Sequence, residues 1–173
     1  KRKLNENQAR NAGGKMTIAL FVRGWYPFNY MVDKLKILFL CTGNSCRSQM
    51  AEGWARHLKS DSIQAFSAGL EAHGLNANAV QVMQEAGVDI TGQKSQKVEE
   101  VETIPFDFVI TVCGHAAEFC PVFSCSTTVV HIGFDDPPKL AENAKTEEEA
   151  LNHYRRVRDE IRIFVETLPE VLW

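Results

Sequence analysis

The stretch Leu40-Cys41-Thr42-Gly43-Asn44-Ser45-Cys46-Arg47-Ser48 decides the fold, because an apolar strand ends in it and an amphipathic helix begins there. Upstream, Ile37, Leu38, Phe39 and Leu40 make the continuous apolar run of a strand covered on both faces. Downstream, Met50, Trp54 and Leu58 recur at helical spacing with Ala51 and Ala55 beside them. A short loop between a strand's end and a helix's start gathers unpaired N–H groups and the positive end of the helix dipole. That is a cradle for an oxyanion.

The cradle has a cysteine at one end and an arginine six residues later, so a tetrahedral anion fits between a sulfur and a guanidinium fork. Helix N-termini and cationic neighbours lower a thiol pKa, so Cys41 is expected as a thiolate nucleophile with its pKa well below that of a free cysteine. Arg47 offers planar bidentate donors that lysine cannot imitate. Ser48 can donate its hydroxyl to the Cys41 sulfur, and Asn44 can hold the loop open through side-chain bonds to nearby backbone.

From Met31 onward strand and helix patterns alternate, which predicts an α/β fold with a parallel sheet and helices on both faces. A second strand is read over residues 63–67, a third over 106–112 and a β-branched fourth over 127–132. Between them, Asn76 caps a helix carrying Ala79, Val80, Met83 and Ala86, which Gly87 ends, and a short charged helix covers residues 97–102. The last helix starts at Glu147, with Thr146 and Glu149 in a capping-box pattern, and stops before Pro169. Its apolar face is Leu151, Tyr154, Val157, Ile161, Phe164 and Val165. In this reading Cys41, Ser67, Cys113 and Asp136 all fall at carboxyl ends of strands, the edge where open parallel sheets bind ligands.

Composition is consistent with that reading. A chain of 173 residues with 45% hydrophobic residues can bury a proper core in one domain. A formal charge of -3 gives no sign of a nucleic-acid or anionic-membrane surface. Five cysteines without a secretory leader speak against a disulfide-stapled extracellular module and for a reducing cytoplasm. Residues 1–31 read as an N-terminal extension. Its first half is polar and expected to be disordered, and the apolar patch Ile18 to Val22 is too short to span a bilayer. Met31 is the expected natural start, with the preceding residues read-through or appended; an organelle transit peptide has only basic charge in its favour.

From residue 32 to the end the sequence resembles the low-molecular-weight tyrosine phosphatase fold family. The C-x5-R-S loop carries the general likeness, and the longer run Cys41 to Trp54 resembles one branch, the thioredoxin-coupled arsenate reductases. Further matching pieces are Ser67-Ala68-Gly69, Glu71-Ala72-His73-Gly74-Leu75-Asn76, Cys113-Gly114 with Cys120-Pro121, and Gly133-Phe134-Asp135-Asp136-Pro137. The resemblance implies four parallel strands in the order 2-1-3-4, which makes strands one and three neighbours and brings Cys113 beside Cys41.

It also implies the chemistry. The oxyanion would lie in the loop Thr42, Gly43, Asn44, Ser45, Cys46, Arg47 and Ser48, where phosphate or sulfate would compete with arsenate. Cys41 would attack arsenic while Asp136 protonates the departing oxygen, Cys113 would then attack the Cys41 sulfur, and Cys120 would move the disulfide to Cys113 and Cys120 for thioredoxin to reduce. No tightly bound cofactor, nucleic acid or membrane is implied, and a monomer is expected. Some members of the family bind potassium near the loop through oxygens matching Asn44, Glu52 and Ser67. Here Gln96 stands where an aspartate would complete that set, so tight potassium binding is not expected.

Geometry adds one consequence. If Cys113 to Cys120 is helical when reduced, seven steps of 1.5 Å separate the two Cα atoms by roughly 10 Å, beyond the limit of about 7 Å for a disulfide. The segment must then refold on oxidation, with Gly114 a flexible start and Pro121 resisting helix beyond it. Cys46 and Cys125 are expected to pack or support structure, and Asp135 is the rival to Asp136 for the acid. His57, His73, His115, His131 and His153 show no metal-ligand spacing, and zinc on Cys113, His115, Cys120 and Cys125 is disfavoured by irregular spacing. Two other functions stay in view. A tyrosine phosphatase would need only Cys41, Arg47 and Asp136, but Gln49 stands where that branch usually has proline. A non-catalytic metalloid sensor would bind through the thiols without turnover.

Overall fold

The computed structural model describes residues 33–173; the expectations for residues 1–31 lie outside the described residues. The run Ile37 to Leu40 forms the middle of strand β1 (Leu35–Cys41), and all four of its side chains are fully buried. Both faces of β1 are therefore covered, as an uninterrupted apolar strand requires. Beside it lie β2 (Ile63–Gly69) and β3 (Phe108–Thr111), and β4 (Thr128–His131) forms the far edge. All neighbours pair parallel in the order β2-β1-β3-β4.

The register fixes what stands around the end of β1. Cys41 pairs with Gly69 of β2, Leu40 pairs with Thr111 of β3, and the Val112 N–H donates to the Leu40 carbonyl at 2.9 Å. Cys113 thus emerges next to Cys41. The ends of β2 and β3 differ from the sequence reading. β2 runs on through Ala68 and Gly69 because the 96–97 segment pairs with its end, with Gly69 N–H donating to the Gln96 carbonyl at 3.0 Å. β3 starts later because the Asp107 carboxylate, at 2.8 Å, takes the Lys36 N–H. The charged helix expected over residues 97–102 is one 3-10 turn, Val98–Glu100.

Helix α1 (Arg47–Leu58) packs on β1 and β2, burying Met50, Ala51, Trp54 and Ala55. Helix α2 (Ala77–Glu85) is capped by Asn76, whose side chain accepts the Ala79 N–H at 3.0 Å. Helix α3 (Gly114–Glu118) is a single short turn against β1 and β3. The sequence reading had no helix after Asp136, yet α4 (Pro137–Ala141) starts there with Asp136 as its N-cap residue. Proline in the first turn, where its missing N–H costs nothing, was the available signal.

Helix α5 (Glu147–Glu166) spans α1, α2 and α4 and buries Leu151, Tyr154, Val157, Ile161 and Val165, the stripe its spacing predicts. Thr146 accepts the Glu149 N–H at 3.1 Å, while the Glu149 carboxylate reaches one residue further back, to the Lys145 N–H at 2.8 Å. No helix among the described residues is long and apolar enough to cross a membrane.

Candidate active site

The loop between β1 and α1 is held from outside by the segment after β2. N–H groups of Leu70, Glu71, His73 and Asn76 donate to the carbonyls of Cys41, Thr42, Gly43 and Ser45, at 2.8 to 3.1 Å. With those carbonyls committed, the N–H groups of Gly43, Ser45, Cys46 and Arg47 donate to no protein acceptor among the described residues. That is the donor set an oxyanion needs. Gly69 makes the tight approach possible, since a Cβ there would meet backbone atoms of Glu71, Thr42 and Asn44.

Cys41 lies at the floor, 4% exposed. Its sulfur is 2.8 Å from Ser48 Oγ and accepts the Asn44 N–H at 3.1 Å. Both partners were expected to act on the loop. The expected fall in its pKa is not what the balance gives: burial pushes the Cys41 thiol up, and neighbouring Cys113 adds to this, against the Ser48 hydroxyl and the Asn44 and Ser48 N–H groups that favour the thiolate. Desolvation wins because the sulfur sits beneath the loop rather than at its mouth. Cys46, the residue preceding α1, is equally buried and its thiol is pushed far up by the same cause.

Arg47 opens α1 at the mouth of the cleft. Its guanidinium donates to the Phe134 carbonyl at 3.0 Å and pairs with Asp136 at 3.2 Å. The two candidate acids are therefore told apart by place. Asp136 faces Arg47 and lines the cleft, whereas Asp135 turns to Arg156 of α5 at 2.8 Å. The cleft has a volume of about 650 Å³ and is walled by Thr42, Ser45, Arg47, His73, Leu75 and Asp136, among others. His73, read from sequence as a loop residue, stands on the lip with its ring against Gly43 and 2.5 Å from Glu71.

The other thiols separate. Cys113 is buried at the N-cap of α3, with its sulfur 3.4 Å from Thr42 Oγ1, so it stands at the anion loop itself. Cys120 follows α3, half-buried, and burial pushes its thiol up. Cys125 is exposed rather than packed, because the stretch between Cys120 and β4 has no element to bury it. All five cysteines are free thiols.

Behind the loop, Asn44 Nδ2 donates to Ser48 Oγ at 3.0 Å and to Ser67 Oγ at 2.9 Å, and Ser67 donates to Glu52 at 2.5 Å. Asn44, Glu52 and Ser67 do meet. Their oxygens are already engaged: Gln96 Nε2 donates to the Ser67 carbonyl at 3.0 Å, the Gln96 N–H to Asn44 Oδ1 at 2.8 Å, and Arg56 pairs with Glu52. Gln96 adds no carboxylate to this group and spends its Nε2 on the Ser67 carbonyl. Among the described residues no three His, Cys, Asp or Glu side chains converge as a metal-binding group.

Comparison with known proteins follows the same lines. A family model described as low molecular weight phosphotyrosine protein phosphatase matches residues 36–172. An arsenate reductase of Halalkalibacterium halodurans is 50% identical over 139 residues, covering 80% of this chain and 98% of the relative. An arsenate reductase of Bacillus subtilis is 51% identical over 125 residues, covering 72% and 88%. A solved structure described as an arsenate reductase in the phosphate binding state superposes with a TM-score of 0.63 at 32% identity, covering 80% of this chain and 99% of that one.

Proposed function

This chain belongs to the low molecular weight phosphotyrosine protein phosphatase family, and within it we propose that the protein is an arsenate reductase working through a three-thiol relay. The observation that carries the proposal is Cys113 held against the anion loop, 3.4 Å from Thr42 Oγ1. Phosphoryl transfer needs a nucleophile, an anion clamp and a proton donor; a second thiol at that place serves a redox step. The curated relatives at about 50% identity are arsenate reductases, which supports the same reading.

The steps balance as follows. Cys41 attacks arsenic(V), an As–S bond forms, and an oxygen leaves as water with the proton from Asp136. Cys113 attacks the Cys41 sulfur, the As–S electron pair stays on arsenic, and arsenite departs. Two electrons have passed to arsenic and a Cys41–Cys113 disulfide remains. Cys120 attacks Cys113, freeing Cys41 and leaving a Cys113–Cys120 disulfide. Thioredoxin reduces that pair through its own dithiol. No potassium and no tightly bound cofactor enters, phosphate and sulfate compete with arsenate, and the protein acts as a cytoplasmic monomer.

Convergence of Cys41, Arg47 and Asp136 also supports weak phosphatase side activity. The cleft residues named above include no Phe, Tyr or Trp to stack on a phosphotyrosine ring, which favours a small oxyanion as main substrate. The test is arsenate-dependent NADPH consumption with thioredoxin and its reductase, for wild type, Cys113→Ser and Cys120→Ser, beside aryl phosphate hydrolysis. Loss of reductase turnover in both variants with hydrolysis retained is expected. Unchanged turnover in either variant sinks the relay.

A further inference from the structure

Gln49 is fully buried, with a polar side chain in the first turn of α1, and nothing in the relay uses it. Its amide is nevertheless fully engaged. Nε2 lies 3.1 Å from each of three acceptors, the Asn44 carbonyl, Asn44 Oδ1 and the Lys94 carbonyl, so that its two N–H groups serve all three with one of them shared. Gln93 closes the other side, its Nε2 donating to Gln49 Oε1 at 2.6 Å and to the Gln49 carbonyl at 2.9 Å. The backbone acceptors Asn44 O and Lys94 O fix which end of the Gln49 amide is nitrogen.

Asn44 is the residue so gripped, and among the described residues it alone is a non-glycine with positive φ, at 44°. L residues adopt that left-handed conformation at a cost and keep it where their surroundings impose it. Two routes to the Cys41 sulfur start from Asn44. Its backbone N–H donates to the sulfur at 3.1 Å, and its side-chain Nδ2 orients Ser48 Oγ, which lies 2.8 Å from the same sulfur. A single nitrogen of Gln49 holds both oxygens of Asn44, and so sets the backbone arm and the side-chain arm together.

We propose that Gln49, braced by Gln93, is a positioning residue for the nucleophile: it holds Asn44 in the left-handed conformation that aims donors at the Cys41 sulfur. Glutamine suits the place because it is neutral and carries a donor and an acceptor on one planar group. Glutamate would set a second oxygen against the Asn44 oxygens, and methionine would fill the space without either bond. The inference rests on Cys41 being the nucleophile proposed above.

The test reads the thiol directly. Alkylation of Cys41 by iodoacetamide, followed by mass spectrometry on the reduced full-length chain from about pH 6 to about pH 11, gives the midpoint of its reactivity. Gln49→Met is expected to raise the midpoint by about one pH unit and to slow alkylation at neutral pH about tenfold. Gln93→Met is expected to act in the same direction by less, and in an Asn44→Gly background Gln49→Met is expected to add nothing further. The ionisable groups facing Cys41, namely Cys113 beyond β3 and Cys46 in the loop, are the same in every variant.

A purely structural tie would lower the melting temperature and leave the midpoint unmoved, and that result overturns the proposal. If Gln49→Met does not fold, Gln93→Met decides alone, since it leaves Gln49 and Asn44 in place; an unmoved midpoint there overturns the proposal equally. Alkylation needs neither arsenate nor reductant. A shifted midpoint in a protein that fails to reduce arsenate would sink the functional reading and leave the role of Gln49 standing.

Discussion

Arg47 shows how much a single side chain carries at this site. It opens α1, donates to the Phe134 carbonyl and pairs with Asp136, so one guanidinium joins the loop after β1 to the loop that bears Asp136. Arg47→Lys keeps the charge and loses the planar fork. The expected result is a fall of about 10²-fold in kcat/KM for arsenate, with weaker inhibition by phosphate and an unchanged circular dichroism spectrum. The two aspartates are expected to part company: Asp136→Asn lowers aryl phosphate hydrolysis by about 10²-fold or more. Asp135→Asn removes only the exposed pair with Arg156, worth about 0–1 kcal/mol of stability, and leaves hydrolysis near wild type. Such placements were legible in the sequence where residue type and spacing express them, as for Cys41, Arg47 and Ser48. What stayed hidden depended on depth and on partners far along the chain. Nothing local in the sequence says that burial outweighs the donors at Cys41, or that Gln49 reaches Lys94 and Gln93.

Among the elements, α3 is the one built to give way. It spans only Gly114–Glu118, and the bonds that close it, Ala117 N–H to Cys113 and Phe119 N–H to His115, are 3.2 and 3.1 Å long. One turn gains little over its nucleation cost, and beyond it Phe119 and Val122 are exposed. Joining Cys113 to Cys120 requires Cα atoms within about 7 Å of each other, and α3 takes up five of the six residues between them. Oxidation is therefore expected to melt α3. Hydrogen exchange across residues 114–119 should be faster in the oxidised than in the reduced enzyme, and equal exchange would count against the relay. The long elements were legible because their periods are unbroken: β1 by its continuous apolar run, α5 by its stripe and its Thr146 cap. The short ones were not. β2 and β3 are trimmed or extended by contacts with residues 96–97 and Lys36, which lie far from them in sequence. Helix α4 spans only five residues, too few for an apolar period to show, and its one signal is the proline pair at its start.

At the scale of the whole molecule, the carboxyl edge of the sheet buries three thiols, Cys41, Cys46 and Cys113, within the core cluster. Burial raises Cys41 and Cys46 above an ordinary thiol, and this couples folding to alkaline pH with a definite sign. Below about pH 8.5 both thiols are protonated in the folded and the unfolded chain, and stability does not depend on them. Above it the unfolded chain releases protons that the folded chain keeps, so the contribution is lost as pH rises toward the raised folded value. Each thiol then costs up to about 1.4 kcal/mol per pH unit over the interval between its unfolded and its folded value. Lysines and tyrosines also titrate in that range, so the informative quantity is the slope difference between wild type and Cys46→Ala, measured by thermal melts at several pH values. The alanine variant is expected to start lower, from lost packing, and to fall less steeply per pH unit. Parallel slopes would mean that Cys46 ionises while the chain stays folded, and the loop would then have to open to water without unfolding.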